Sequence, residues 1–423
     1  MNKQLIIPLF ACGLTICLGS CRKEGRMTEG SASHQETQRS MIAENSQKIH
    51  VASIEELYTA VNDPANAGAR IILAPGTYVL NDSYPNRGRL ELQEDMSLEG
   101  QPGQPEAVLI DQSALPNTSY SGPVAITGGI RLGKGVNKLK WLSLKGGLLS
   151  ALAFAVVTTD LPSSETHVEI SHVIVTSNGS RIGLDIRNRL PEHAGRKVYA
   201  TVEHSEVTGF VNSLGFAISA QNVNGASNAI IQLELKGNYI HGNRIGVLAG
   251  NGAISRTTEN SVIEIKSHAD RLEGNGVALD PSGGVNSNVL TFSSNNLTDI
   301  ELHATSIRDN NPPGNPALTP VNGALPGGIY AAGGYNTAVG AGGYNRASNN
   351  VLRMALWGCD ISNNNGFDIN AVGAWCAPAT ILAGTNNKVD IFLHGLSAQA
   401  TVDFINSVPF EPAGTNVVNV IRN

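Results

Sequence analysis

The chain has 423 residues, with 35 Asp and Glu against 29 Lys and Arg, a formal charge of −6, and only 5% aromatic and 15% charged residues. Net acidity without a basic run excludes a nucleic-acid binder, whose phosphate contacts need clustered Lys and Arg; a hydrophobic share of 41% excludes a disordered chain. The 46 Gly and 41 Asn, 31 of the latter after residue 200, accompany short Val/Ile/Leu runs and point to a solenoid of stacked turns, whose core grows along one axis.

Lys3 precedes an apolar stretch, Leu5 to Leu18, that ends in Leu18-Gly19-Ser20-Cys21. The stretch is short for a bilayer span and closes on small residues, the order of a cleaved signal over residues 1–20. It resembles a bacterial lipoprotein signal, which implies lipid attachment at Cys21, palmitate included, and a place in the cell envelope, on the outer membrane. Residues 21–50 are polar without apolar period and are expected to form a flexible tether; residues 51–423 then make one domain. Of five cysteines, Cys12 and Cys17 leave with the signal and Cys21 is acylated. Cys359 and Cys376 remain, either paired in an oxidising compartment or as separate buried thiols.

Ser53-Ile54-Glu55-Glu56 is a capping box, and Ile54, Leu57, Tyr58 and Val61 give the helix it opens one apolar stripe. Such a helix can close the end of a solenoid. A strand, a Pro75-Gly76 turn and a second strand follow, then short strands around Leu90, Met96 and Val108. From residue 165 a unit repeats: an apolar-x-apolar strand, a second short strand, a turn with Asn, a Gly and a third strand. Its anchoring glycines are Gly183, Gly215, Gly246, Gly276, Gly328 and Gly366. Insertions at 312–327 and 333–347 lengthen two of the steps. Asn178, Asn212, Asn243, Asn275, Asn310 and Asn363 recur at the turn, where Asn tolerates left-handed backbone and its amide can bond the same group one coil away.

Period-2 alternation excludes helical repeats, and three strands per unit predict an all-β parallel β-helix. Over residues 50–410 the sequence resembles the right-handed parallel β-helix, pectate-lyase-like superfamily, with Ile71-Ile72-Leu73-Ala74-Pro75-Gly76-Thr77-Tyr78 after a capping helix as its first coil. The resemblance implies a polysaccharide or glycan as partner, and a polysaccharide lyase or glycoside hydrolase as the activity. The alternative is a glycan-binding or surface-scaffold protein without catalysis. Within the superfamily, Asn364-Asn365-Gly366-Phe367-Asp368-Ile369 resembles a polygalacturonase segment but has Asn365 where the catalytic Asp belongs. Leu279-Asp280-Pro281-Ser282 resembles an alginate-epimerase segment lacking its His and second Asp.

Outward side chains on consecutive coils fall into rows about 4.8 Å apart. One expected row holds Glu169, Glu203, Glu234, Glu264 and Glu301, with Lys236 and Lys266 two positions further along their strands. Its functional reading places Glu234, Lys236, Glu264 and Lys266 in catalysis and lets Glu203, Glu234 and Glu264 hold Ca²⁺ against a uronate carboxylate. Its bland reading is a solvated face of diagonal Glu–Lys pairs. A second row, after the glycines, offers Asp185, Arg187, Asp280, Tyr330 and Asp368 as a substrate-binding floor, with Tyr335 and Tyr344 as walls. The histidines show no metal-ligand spacing, so His204 and His241 are expected to be structural.

Overall fold

The computed structural model describes residues 47–115, 128–147, 155–177, 179–212, 215–253, 256–286, 291–315, 318, 326–336, 347–376, 384–396, 402–404 and 415–423. The signal, Cys21, most of the tether, Asn178, Tyr344 and much of the two insertions lie outside them.

The first strand, Lys48–Val51, begins inside the segment expected to be tether and pairs in parallel with Arg70–Leu73. The reason is local: Ile49 and Val51 alternate with polar neighbours and match Ile71 and Leu73 across the pair. The helix Ile54–Asn62 follows, capped as expected. Ser53 Oγ accepts from the Glu56 N–H at 3.2 Å, and Glu56 Oε2 accepts from the Ala52 N–H at 2.7 Å. Leu57, Tyr58, Ala60 and Val61 are its buried face.

Every strand pairing is parallel, and the strands stack into a β-helix. A regular coil has three strands: a seven-residue strand such as Ile230–Lys236, a three-residue strand such as Tyr239–His241, and a longer one such as Ile245–Ala253. The first two kinds belong to one sheet, sheet A; the third kind forms a ten-stranded sheet B. Two-residue strands at Thr258–Glu259, Ser293–Ser294 and Ala347–Ser348 make a small third sheet. Inward side chains form continuous apolar rows. One runs Val168, Ala200, Leu233, Ile265, Ile300, Met354 and Ile391, all buried. Each fully buried Val, Ile or Leu contributes roughly 1.5–3 kcal/mol of transfer free energy.

Two devices turn the coil. Within or just after the long strand of sheet A one residue has positive φ in each of eight coils: Trp141, His172, His204, Gly237, Ala269, Ala304, Gly358 and Gly395. The side-chain-bearing members adopt a backbone that costs roughly 1–2 kcal/mol. Trp141 and His172 stack with ring centres 3.7 Å apart.

At other corners buried amides climb from coil to coil. The N–H and Nδ2 of Asn243 both donate to Asn275 Oδ1, at 3.1 and 3.0 Å, and Asn275 repeats the contact on Asn310. Asn310 passes it to Asn364, not to Asn363, which takes the positive-φ position beside it. A second ladder links Asn296, Asn350, Asn387 and Asn416. These amides satisfy the corner N–H groups that parallel pairing leaves without partners.

Cys359 is a buried free thiol whose Sγ donates to the Leu302 carbonyl at 3.4 Å, and burial raises its pKa. The side chain of Cys376 is outside the description.

Candidate functional site

Of the expected row of glutamates on sheet A, Glu169, Glu234 and Glu301 share one line with Thr201 and Lys266 between them, while Glu203 and Glu264 fall outside it. Glu169 faces Thr201, Glu203 faces Lys236, Glu234 faces Lys266, Glu264 faces Asp299, and Glu301 faces Lys266. The seven-residue strands carry three inward positions, so an apolar-x-apolar triplet fits at two registers. Val202 aligns with Ile170, and Ala200 takes the place of Val168. Glu203, Glu234 and Glu264 therefore occupy three different rows and do not converge as a Ca²⁺ set. Among the described residues no group of three His, Cys, Asp or Glu is placed to hold a metal.

The same face is instead neutralised pairwise. Glu169 meets Lys138 at 2.8 Å, Lys236 meets Glu234 at 2.9 Å, and Lys266 meets Glu301 at 3.5 Å. Glu264 accepts from Gln232 Nε2 at 2.6 Å. The Glu234 and Lys236 side chains are 38% and 41% exposed, so their pair is worth about 0–1 kcal/mol. His241 stacks on Tyr239 and contacts Glu206 at 3.0 Å, and His204 tilts against His172 with ring centres 5.1 Å apart.

Sheet B collects the other candidates. Register places Glu91, Arg131, Thr158, Asp185, Ser219, Leu248 and Asp280 at successive positions of one row. Leu279 opposite Ile329 and Ser282 opposite Ala332 bring Tyr330 to the next position, and Asn370 follows. The neighbouring row holds Arg187, Gln221, Gly250, Ser282 and Ala332. A Cβ on Gly250 would come within 2.6 Å of Ser282 Oγ, so glycine keeps this floor flat. The strand Val277–Asn286 carries Pro281, which lacks an N–H for the ladder, and its register shifts just past Ser282. Such irregularities re-aim side chains and gather beside active sites.

The polar groups of this row are poorly satisfied. Ser219 Oγ, Tyr330 Oη and both amide atoms of Asn370 are buried without a hydrogen-bond partner. A buried polar group left so costs about 1–3 kcal/mol. Asp280 keeps some surface exposure, yet burial among its neighbours raises its pKa to about 7. Burial, with the Asp280 carboxyl added, also pushes the Tyr330 phenol far above its usual range.

The two ends of the row differ in charge. Arg131 binds both Glu91 and Asp160, the latter at 3.0 Å, and Arg187 pairs with Asp185. Arg187 and Asp185 are buried, so the pair is a sequestered one. Burial lowers the pKa of Arg181 and Arg196 to about 10, and lowers that of Arg189. His193, buried with its Nδ1 accepting from the Arg189 N–H at 3.0 Å, is held down to about 4 by burial and by Arg196.

Of the expected floor, Asp185, Asp280 and Tyr330 share one row and Arg187 lies in the next. Asp368 does not join them: within the strand Phe367–Cys376 it sits two residues before Asn370 and accepts from Asn364 Nδ2 at 2.8 Å. Tyr335 is buried rather than a groove wall. Ser219 as a site group and Asn370 in the place given to Asp368 were missed. No fixed offset from the anchoring glycines finds both, because Asp185 and Tyr330 lie two residues after theirs whereas Ser219, Asp280 and Asn370 lie four after theirs. A hollow of about 550 Å³ between His50, Glu56, Ile72 and Pro102 lies in the first coils, away from these groups.

Neither a family model nor a curated protein sequence matches the chain. Among solved structures it is similar to pectate lyase Pel9A, at 12% identity and a TM-score of 0.37, over 88% of this chain and 79% of that one. The Azotobacter vinelandii mannuronan C-5 epimerase AlgE6 A-module gives 13% identity and a TM-score of 0.37, over 88% and 95%. The Yersinia enterocolitica family 28 exopolygalacturonase gives 11% and 0.32, over 89% and 78%. The parallel β-helix assignment stands on the strand register of the chain itself.

Proposed function

We propose that the protein acts on an extracellular saccharide along the outer face of sheet B, with Asp280 as the group that moves a proton. The observation that carries this reading is a partly exposed carboxyl with a pKa of about 7 beside Tyr330. At neutral pH such a carboxyl divides between its acid and base forms, the condition for efficient proton transfer. The neighbouring phenol stays protonated and is a donor.

Glycoside hydrolysis uses two carboxyls about 5–10 Å apart. The next carboxyl of the row, Asp185, is three coils and about 14 Å away. The pairing of one carboxyl with one phenol suits elimination better. Asp280 takes the proton beside the sugar's carboxyl group, the C–H electron pair becomes the new C=C bond, and the departing oxygen takes its proton from Tyr330. Glycan binding without turnover is the second reading, favoured by the distance of any second carboxyl of the row from Asp280.

The test is to incubate the lipid-free domain with uronate polysaccharides, with Ca²⁺ and with chelator. Ultraviolet absorbance of the unsaturated sugar is followed beside a reducing-end assay. A signal lost in Asp280→Asn supports the lyase reading; retained binding with silence in both assays supports the second. The Leu18-Gly19-Ser20-Cys21 segment supports a companion proposal, that Cys21 is lipidated and holds the domain on the envelope's outer membrane. Palmitate labelling that persists in Cys21→Ser would overturn it.

A further inference from the structure

The Asp185 end of the sheet B row gathers Arg131, Arg181, Arg187, Arg189 and Arg196, five guanidinium groups, against the three carboxylates Glu91, Asp160 and Asp185. The next acidic group, Glu192 beside His193, is exposed. Arg196 is 2% exposed, its Nη1 donates to the Arg187 carbonyl at 3.3 Å, and its Nε and Nη2 have no hydrogen-bond partner. Arg189 keeps part of its surface, and its Nη1 also lacks a partner. Positive charge gathered in a water-poor place without enough counter-charge attracts an anion more strongly than the same charge on an open surface. Guanidinium is also the side chain best shaped for a carboxylate or a sulfate. The formal charge of −6 hides this local excess of cations.

We propose that this arginine cluster is an anion-binding subsite for the same saccharide that reaches Asp280, three coils away on the same row of sheet B. The proposal rests on the reading of sheet B as the working face and adds a second anionic contact and the substrate's length. The ligand is a chain carrying carboxylate or sulfate groups. It is long enough to place one of them about 14 Å from the sugar at Asp280, given the strand spacing. Between the two ends the row and its neighbour carry only the neutral Ser219, Gln221, Leu248 and Gly250, so no charge there selects the intervening sugars. Because the cluster and Asp280 are far apart, a disaccharide engages one or the other and a longer chain engages both.

The experiment is calorimetric titration of the full chain with neutral, uronate and sulfated oligosaccharides, from disaccharides to hexasaccharides. Arg189→Gln and Arg181→Gln are compared with the wild type, and melting curves confirm that they fold. An acidic hexasaccharide is expected to bind about tenfold tighter than a neutral one of equal length, an advantage that falls with salt. Arg189→Gln should remove most of it while leaving neutral chains unchanged. The uronate and sulfate arms identify which oxyanion is preferred. Equal binding of neutral and acidic chains, or an equal loss for both in Arg189→Gln, overturns the proposal. So does a disaccharide that binds as well as a hexasaccharide. Asp280→Asn separates the two ideas: if acidic chains bind through the arginines yet no turnover depends on Asp280, the catalytic reading fails and the subsite stands.

Discussion

Asp280 and Tyr330 occupy neighbouring positions of one outward row on sheet B, one coil apart, and burial raises the pKa of both. The two shifts differ in consequence. A carboxyl at about 7 changes charge in the physiological range, whereas the phenol remains a donor throughout it.

Asp280→Asn should stabilise the fold at alkaline pH and do little in acid. The native pKa of about 7 lies above the ordinary 3.8, so the native state is favoured below 3.8 and loses that advantage as pH rises through 7. The amide cannot ionise. Unfolding at pH 8 should show a gain of about 2–4 kcal/mol over the wild type, falling to near zero at pH 4. The same variant should lose turnover.

His193 gives the opposite slope. Its native pKa of about 4 lies below the ordinary 6.5, so its contribution is complete above 6.5 and is lost as pH falls towards 4. Urea unfolding between those values should show the wild type losing about 3 kcal/mol from this group. His193→Asn keeps an acceptor for the Arg189 N–H and should flatten that part of the curve.

Asn275→Ala breaks the corner ladder at a buried rung. The Asn243 N–H and Nδ2 lose their shared acceptor, and the Ile240 carbonyl loses a donor at 3.0 Å. A cost of about 2–4 kcal/mol is expected in thermal or urea unfolding. Asn363→Ala, at the positive-φ neighbour outside the ladder, should cost no more than about 1–2 kcal/mol.

Glu234→Gln and Lys236→Ala should each change stability by no more than about 0.5 kcal/mol and leave any turnover intact, because both side chains are part-exposed on sheet A. Loss of activity in either would return the site to that face.

The coil architecture was legible because its signal is repetitive and physical. Alternating apolar residues define the strands, and the glycines and asparagines punctuate them at fixed offsets. The capping box at Ser53 and the amide ladder from Asn243 to Asn310 followed from local chemistry. Register was harder. Ala200 is small enough to be read as neutral, yet it fills the inward position of Val168. That one choice slides Glu203 from the expected acidic row to a place opposite Lys236. On sheet B the same two-residue ambiguity recurs: Asp185 and Tyr330 lie two residues after their glycines and Asp280 four, and only the strand register puts them on a common row. Asp368 misses it by two residues because the register pairs Asn370, not Asp368, with Tyr330. The pKa of Asp280 depends on what surrounds the carboxyl, which no local motif records.

The most direct measurement is the titration of Asp280 itself, by carbon-detected NMR of the domain with ¹³C-labelled aspartate carboxyls. The account predicts one resonance that titrates near pH 7 and is missing from Asp280→Asn. If that resonance titrates near 4 with the ordinary aspartates, Asp280 is a solvated carboxylate and the proton-transfer site is not on this row.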